Sequence, residues 1–190
     1  MYLKKLIGNK IYLSPIDKND YPKYTKWIND MEVSLGMTFA NMLIDEEYEK
    51  NSLERLAKEQ FNFAIILKEN DAVIGNVGFP KLDYINSTGE VGIFIGDKNY
   101  WGNGYGKEAL ELLLDFGFNL LNLNSIYLKV YSFNTQAIKC YKKIGFKEAG
   151  KLREAKIIGG NKYDELYMDI LAKEFNSPYI LSILENKINS

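Results

Sequence analysis

No histidine occurs anywhere in the 190 residues. A general base drawn from this chain is therefore a carboxylate, a tyrosine, a lysine or a relayed water. Cysteine is almost as scarce: Cys140 stands alone, which excludes an intrachain disulfide and argues against a cysteine-based metal site, so no metal is expected. No stretch approaches the roughly 18 consecutive apolar residues of a membrane span, and the opening MYLKKLIGNKIYL is too short and too interrupted in its apolar run for a signal peptide. The expectation is a cytoplasmic protein with no membrane partner. Charge of one sign is lacking too: 24 Lys and Arg balance 25 Asp and Glu, for a net charge of -1, so neither a nucleic-acid stripe nor a membrane-steering field is expected.

What is present, 46% hydrophobic and 26% charged residues, suits one compact core. KIYLSPI (Lys10 to Ile16) alternates as a strand that Pro15 ends. NDYPKYTKWINDMEVS suits one helix and then a loop, with Asn19 or Asp20 as cap and Pro22 in the first turn; a second helix follows over Ile44 to Glu59. Phe61 to Lys68 and Ala72 to Phe79 read as a hairpin, and Thr88 to Asp97 as a third antiparallel strand. After a glycine-rich stretch comes a helix with Leu110, Leu113, Leu114, Gly117 and Leu121 on one face. Then follow a strand over Ser125 to Tyr131, a short helix Asn134 to Gly145 capped by Asn134, and two strands, around Phe146 to Ile158 and Lys162 to Leu171, either side of a GGN turn. This order predicts an α+β fold with a mixed, mostly antiparallel sheet and flanking helices. The tail SPYILSILENKI, with Ser177 as cap and Pro178 next, predicts a last helix whose stripe Ile180, Ile183, Leu184 and Ile188 packs on its own domain or forms a homodimer contact.

In KNYWGNGYGKEALELLLDFGF, glycines 102, 104 and 106 alternate directly before the helix. Alternating glycines let backbone amides crowd round an anion, and the helix adds its unpaired N–H groups and the positive end of its dipole, so a phosphate or pyrophosphate is the natural guest. A nucleoside-triphosphate loop fails on spacing, because Trp101 stands five positions before Gly106 where a glycine is needed and Glu108 follows Lys107 where Ser or Thr is needed. A dinucleotide fingerprint is met loosely by Gly104, Gly106 and Ala109, but no acidic residue follows near Lys129 to Tyr131.

A third pattern spans more of the chain. EVGIFIG, NYWGNGYGKEA and its helix, and NTQAIKCYKKIGF together resemble the GCN5-related N-acetyltransferases (GNAT), in particular the branch acting on ribosomal-protein N-termini and polyamines; WINDMEVS and AGKLREAKIIGGNKYDELYMDIL look like that branch too. The resemblance runs from about Lys10 to Leu171. It implies an acetyltransferase domain over 1–172 with a helical tail at 173–190, acetyl-CoA as cosubstrate, and a primary-amine acceptor, small molecule or peptide: a protein N-terminus, a polyamine, an aminoglycoside or an amino acid. By similarity the pyrophosphate of coenzyme A would lie on Gly102, Asn103, Gly104, Tyr105, Gly106 and Lys107, while Trp101 replaces the family's usual Gln or Arg. The pantetheine arm would pair with backbone groups of Phe94, Ile95 and Gly96 on a strand splayed from its neighbour. Asn134 matches the asparagine that heads the second motif, and Tyr141 the tyrosine beside the thioester sulfur.

The implied mechanism is direct attack of a neutral amine on the thioester, with proximity worth up to about 7 to 11 kcal/mol. A phenol at its ordinary pKa of about 10 protonates a thiolate near 8.5 only about 2 kcal/mol uphill, which favours a hydrogen-bonding role for Tyr141. Glu90 is the candidate base, directly or through water; Asp30 and Glu32 are candidates for greeting a cationic acceptor; Cys140 reads as packing. A non-catalytic acyl-CoA-binding sensor or interaction module is the alternative, against which the pairing of Asn134 with Tyr141 argues.

Overall fold

The computed structural model describes residues 2–37, 40–176 and 179–188. Eight strands form a mixed, mostly antiparallel sheet in the order β1-β2-β3-β4-β5-β6-β8-β7, with helices flanking it, and the described residues divide into two compact units. β4 (Val73–Asp83), β5 (Thr88–Ile95) and α4 (Tyr105–Asn119) run through both.

The first unit comprises Met1–Pro80 and Gly92–Leu112. Its strands β1 (Leu6–Ile7), β2 (Ile11–Pro15), β3 (Asn62–Leu67) and the first part of β4 pair antiparallel in sequence order. β3 is buried at every residue, as expected of a central strand covered on both faces. One face carries α1 (Tyr21–Asn29) and α3 (Glu46–Lys58) over a core of Tyr12, Ile16, Tyr24, Leu53, Ala64, Ile66 and Val73, and the single turn α2 (Met31–Ser34) follows α1. Each start is legible. Asp17 caps a 3-10 turn by accepting from Asn19 N, Asp30 caps α2 through Glu32 N, and Asp45 caps α3 through Tyr48 N. Asp20 does occupy the N-cap position of α1, but its carboxylate accepts the Tyr2 hydroxyl instead, at 2.7 Å. The loop expected around Asp30 and Glu32 is the turn of α2.

The second unit comprises Lys81–Val91 and Leu113–Ser190. β5 starts parallel to β6 (Ser125–Tyr131), β6 pairs antiparallel with β8 (Asn161–Leu171), and β8 with β7 (Lys147–Ile158) across a turn in which Gly159 and Gly160 have φ of 56° and 80°. The parallel register runs from Thr88↔Ser125 to Glu90↔Tyr127 and ends there, although β5 continues to Ile95 and β6 to Tyr131. α5 (Thr135–Ile144) stops at Gly145, whose φ of 118° closes the helix with bonds to Lys142 O and Tyr141 O.

α4 departs from the one-faced helix that its spacing predicts. Besides Leu110, Leu113 and Leu114, it buries Ala109, Leu112, Asp115, Phe116 and Phe118, so it is a core helix apolar nearly all round. Glu108 and Asp115 are the buried charged exceptions, and Asp115 Oδ2 accepts the amides of Tyr179 and Ile180 at 2.9 Å, holding the start of α6 (Ile180–Ile188). Ser177 and Pro178, the expected start of that helix, lie outside the described residues. Of the α6 stripe, Ile180 is half-buried, while Ile183, Leu184 and Ile188 are exposed among the described residues.

On α3 the buried stripe is Glu49 and Leu53, with Leu56 partly buried below. Burial pushes the Glu49 carboxyl from its ordinary 4.5 up to about 7. The folded chain therefore binds a proton that the unfolded chain has released between those values; stability carried by the neutral form is whole below pH 4.5 and is lost as pH rises through about 7. Glu49→Gln should be more stable than the parent at pH 8, with the gap closing by pH 4, as measured by urea unfolding across that range.

Candidate active site

The far half of β5 and the loop after it form one construction within the first unit. Ile93, Phe94 and Ile95 are only half-buried, an unusual state for three consecutive apolar strand residues. Behind them the backbone is packed without room for side chains. The Phe94 carbonyl stands where a β-carbon on Gly75 would have to be, and the Trp27 indole occupies the same place on Gly96. Trp27, Tyr24 and Phe94 meet edge-on or tilted, with ring centroids 5.1 to 6.2 Å apart, and the Tyr24 hydroxyl donates to Gly75 O at 3.0 Å.

Beyond the strand, the Gly96 amide donates to Ile74 O at 2.8 Å and Asp97 caps a 3-10 turn over Lys98–Tyr100. Trp101 turns its indole back, and Nε1 donates to Ile95 O at 2.8 Å. Of the groups expected to meet pantetheine, the Gly96 N–H and the Ile95 carbonyl thus already have partners. Trp101 fastens the loop to the strand end. Gly102 and Gly104 follow with φ of 75° and 86°, the left-handed region in which a side chain is costly. Gly106 lies over Ile93 and Ile95, at ordinary van der Waals distance for an added β-carbon. α4 opens here, and Glu108 N closes its first turn onto Gly104 O at 3.0 Å. The loop from Gly102 to Gly104 is exposed, and Tyr105, Gly106 and Lys107 are half-buried at the positive end of the helix.

Two neighbours of this loop were invisible in the linear sequence. Glu108 is buried and accepts the amides of Asn9 and Lys10, the latter at 2.9 Å, which ties the β1–β2 turn to the first turn of α4. Lys10 then reaches over the loop, donating to Asn103 O at 3.2 Å with its ammonium 5.6 Å from the Tyr105 ring centroid. Lys107 is ion-paired with Glu111 at 2.6 Å, so Lys10 is an additional cation at the loop. The acidic pair Asp30 and Glu32 has a partner of its own: Lys98 binds both, and its ammonium holds Asp30 below the usual carboxylate range.

Glu90, Asn134 and Tyr141 belong to the second unit. Both Glu90 oxygens are engaged, one by the Tyr127 hydroxyl at 3.0 Å and the other by Lys129 at 3.3 Å. Burial pulls Lys129 down, but its hydrogen bond to Glu90 and the charge there outweigh this, and it is raised. Asn134 is the cap of α5, with Oδ1 accepting from Ala137 N at 3.2 Å. Tyr141 packs edge-on against Phe146, at 6.0 Å between centroids. Burial first, and Cys140 second, push its phenol well above the ordinary value. The hydroxyl therefore stays protonated and is a hydrogen-bond donor rather than a proton source.

Residues 10–147 match the family model described as Acetyltransferase (GNAT) domain. A Bacillus licheniformis protein named uncharacterized N-acetyltransferase p20 is 36% identical over 157 residues, covering 81% of this chain and 83% of that one. Among solved structures, a GNAT-family acetyltransferase from Bacillus anthracis superposes with a TM-score of 0.78 at 23% identity, over 92% of this chain and 100% of the other. Spermidine N-acetyltransferase from Vibrio cholerae, in complex with CoA and spermine, does so with 0.77 at 23%, over 88% and 98%. At that identity the structures speak for the fold.

Because an added β-carbon at Gly104 meets nothing within 4 Å, Gly104→Ala strains only the backbone, by roughly 1 to 2 kcal/mol. Calorimetry should show acetyl-CoA binding about tenfold weaker in this variant, with the melting temperature lowered by roughly 2 to 8 °C.

Proposed function

This chain belongs to the GNAT acetyltransferases, an acetyl-CoA-dependent family, and we propose that it moves the acetyl group to a primary amine by direct attack, using the loop from Gly102 to Lys107 for the pyrophosphate and β5 for the pantetheine arm. One observation carries this reading. Two left-handed glycines present backbone amides at the mouth of α4, directly after a strand whose parallel pairing stops at Glu90. A strand freed on one side offers main-chain groups to an extended ligand, and the loop fits a doubly charged phosphate group. The residues present therefore suit coenzyme A, which when bound supplies the activated acetyl thioester.

The chain's own residues have these roles in the proposal. Amides of Gly102 to Lys107 hold the phosphates, and Lys10 adds a second cation beside Lys107, which is paired with Glu111. Backbone groups of Phe94, Ile95 and Gly96 align the arm, apart from the Ile95 carbonyl and the Gly96 amide, which are bonded to Trp101 and Ile74. Asn134 fixes the start of α5, and Tyr141 donates a hydrogen bond to the departing sulfur. Glu90 takes the proton of the amine through water, its position set by Tyr127 and Lys129. Residues 1–172 make up the catalytic domain, with 173–190 as a tail. The acceptor is a small amine or a peptide amine; the spermine bound by the Vibrio cholerae enzyme supports the first.

Acetyl-CoA should raise the melting temperature, whereas NAD and ATP should not; equal shifts from all three would refute the assignment. In thiol-release assays over a panel of amines, Tyr141→Phe should lower kcat about ten- to a hundredfold, with KM for acetyl-CoA little changed, since a donor that acts on developing charge is lost. Glu90→Gln should lower kcat/KM and change the shape of its pH profile, and an unchanged profile would remove Glu90 from the mechanism. Silence across the panel, with acetyl-CoA still bound, would favour the non-catalytic sensor.

A further inference from the structure

One carboxyl in the first unit has no role in the scheme above. Glu49 is 3% exposed, on the buried face of α3 one turn before Leu53. Leu53 and Leu56 set a stripe whose preceding slot calls for an apolar side chain, yet that slot holds a carboxyl. Among the described residues it has neither a salt bridge nor a side-chain hydrogen bond, and burial alone displaces its titration. Glu108 and Asp115, the other carboxylates buried on helices that were described above, are held by backbone amides. A buried charge with no partner is costly enough that natural sequences rarely keep one without a use.

A second unmatched acceptor lies on the same face of the sheet. Asn76 pairs with Ala64 across β3 and β4, so their side chains share a face, and Ala64 belongs to the cluster with Tyr24 and Leu53. Asn76 Oδ1 is sealed from solvent with no hydrogen-bond donor. The missing partner is thus a donor. The setting also leads to the cofactor strand. The field of Glu49 reaches Tyr24, whose hydroxyl is bound to Gly75 O, and the Tyr24 ring packs on Phe94 and Trp27.

We propose that Glu49 is the recognition residue for the acceptor, binding the ammonium group of a primary amine carried on an unbranched methylene chain. An alkylammonium has three donors and no acceptor, which matches a buried carboxyl without a donor, and its positive charge supplies what the carboxyl lacks. The near-complete burial of Glu49 selects a slender carrier, because a branched or bulky amine cannot follow the carboxyl into a tightly packed interior. The aromatic rings of Tyr24 and Trp27 add faces that favour a cation. This assignment rests on the acetyl-transfer reading for its place in the reaction, but ammonium binding is measurable without it.

The test is calorimetric titration of the full chain with 1,4-diaminobutane and with the branched tert-butylamine, for wild type and Glu49→Gln, alongside steady-state kinetics. Wild type should bind the diamine and not tert-butylamine. Glu49→Gln should weaken the diamine at least tenfold and raise its KM by a similar factor, leaving KM for acetyl-CoA and the acetyl-CoA thermal shift unchanged. A purely structural role would change stability alone and spare both the diamine affinity and the amine KM. Diamine affinity equal in the two proteins, or no diamine binding by wild type, overturns the proposal. Loss of the acetyl-CoA shift in wild type would overturn the acetyl-transfer reading alone, since the titration judges Glu49 independently.

Discussion

The Trp27 indole stands where residue 96 would carry a β-carbon, and much of the first unit follows from that contact. With Gly96 held beneath the ring, its amide meets Ile74, Asp97 caps the next turn, and Trp101 folds back onto Ile95. The chain then enters α4 through Gly102 and Gly104 in conformations that a β-carbon would resist. The strand end and the glycine loop are therefore one rigid piece, built on helix α1 from the back and on a hydrogen-bonded indole from the front. A binding site for a long flexible ligand gains affinity from such rigidity, because the ordering cost has been met during folding.

Two buried glutamates near helix starts show opposite solutions to the same problem. Glu108, in the first turn of α4, is enclosed by amides of the β1–β2 turn, and Gly8 leaves the space for its carboxyl, so the charge is solvated by backbone. Glu49, near the start of α3, has no such shell. The first arrangement stabilises a loop junction; the second stores an unmet demand for a cation in the middle of an aromatic and aliphatic core. Stability and function pull apart at Glu49 in a way they do not at Glu108.

Local grammar made most of the architecture legible. β6 spans Ser125–Tyr131 as its alternation indicates, α5 starts after the Asn134 cap, and the β7–β8 turn sits on Gly159 and Gly160. The misses have physical causes. β1 is two residues long, too short for any period to register, and α2 is a single turn made by an Asp30 cap inside what reads as loop. The all-round burial of α4 is a tertiary property, set by what lies on its other faces rather than by the stripe of Leu110, Leu113 and Leu114. The glycine loop and its flanking strand were readable because conformation and charge preference reside in consecutive residues. Lys10 was not, since 93 positions separate it from the Asn103 carbonyl that it reaches. Nor was Glu49, whose charge looks like an ordinary acidic helix start until its burial is known.

The buried Asp115 carboxylate gives the C-terminal helix a different standing from that of an appended tail. One of its oxygens receives two consecutive amides from Tyr179 and Ile180, while the other takes the Asn119 side chain. Shortening the chain before Tyr179 would strip an interior anion of two donors in the middle of the helix that also opens at the glycine loop. Tyr179 and Ile180 are in that sense part of the solvation of the core, so the start of α6 is fastened from within rather than merely laid on the surface.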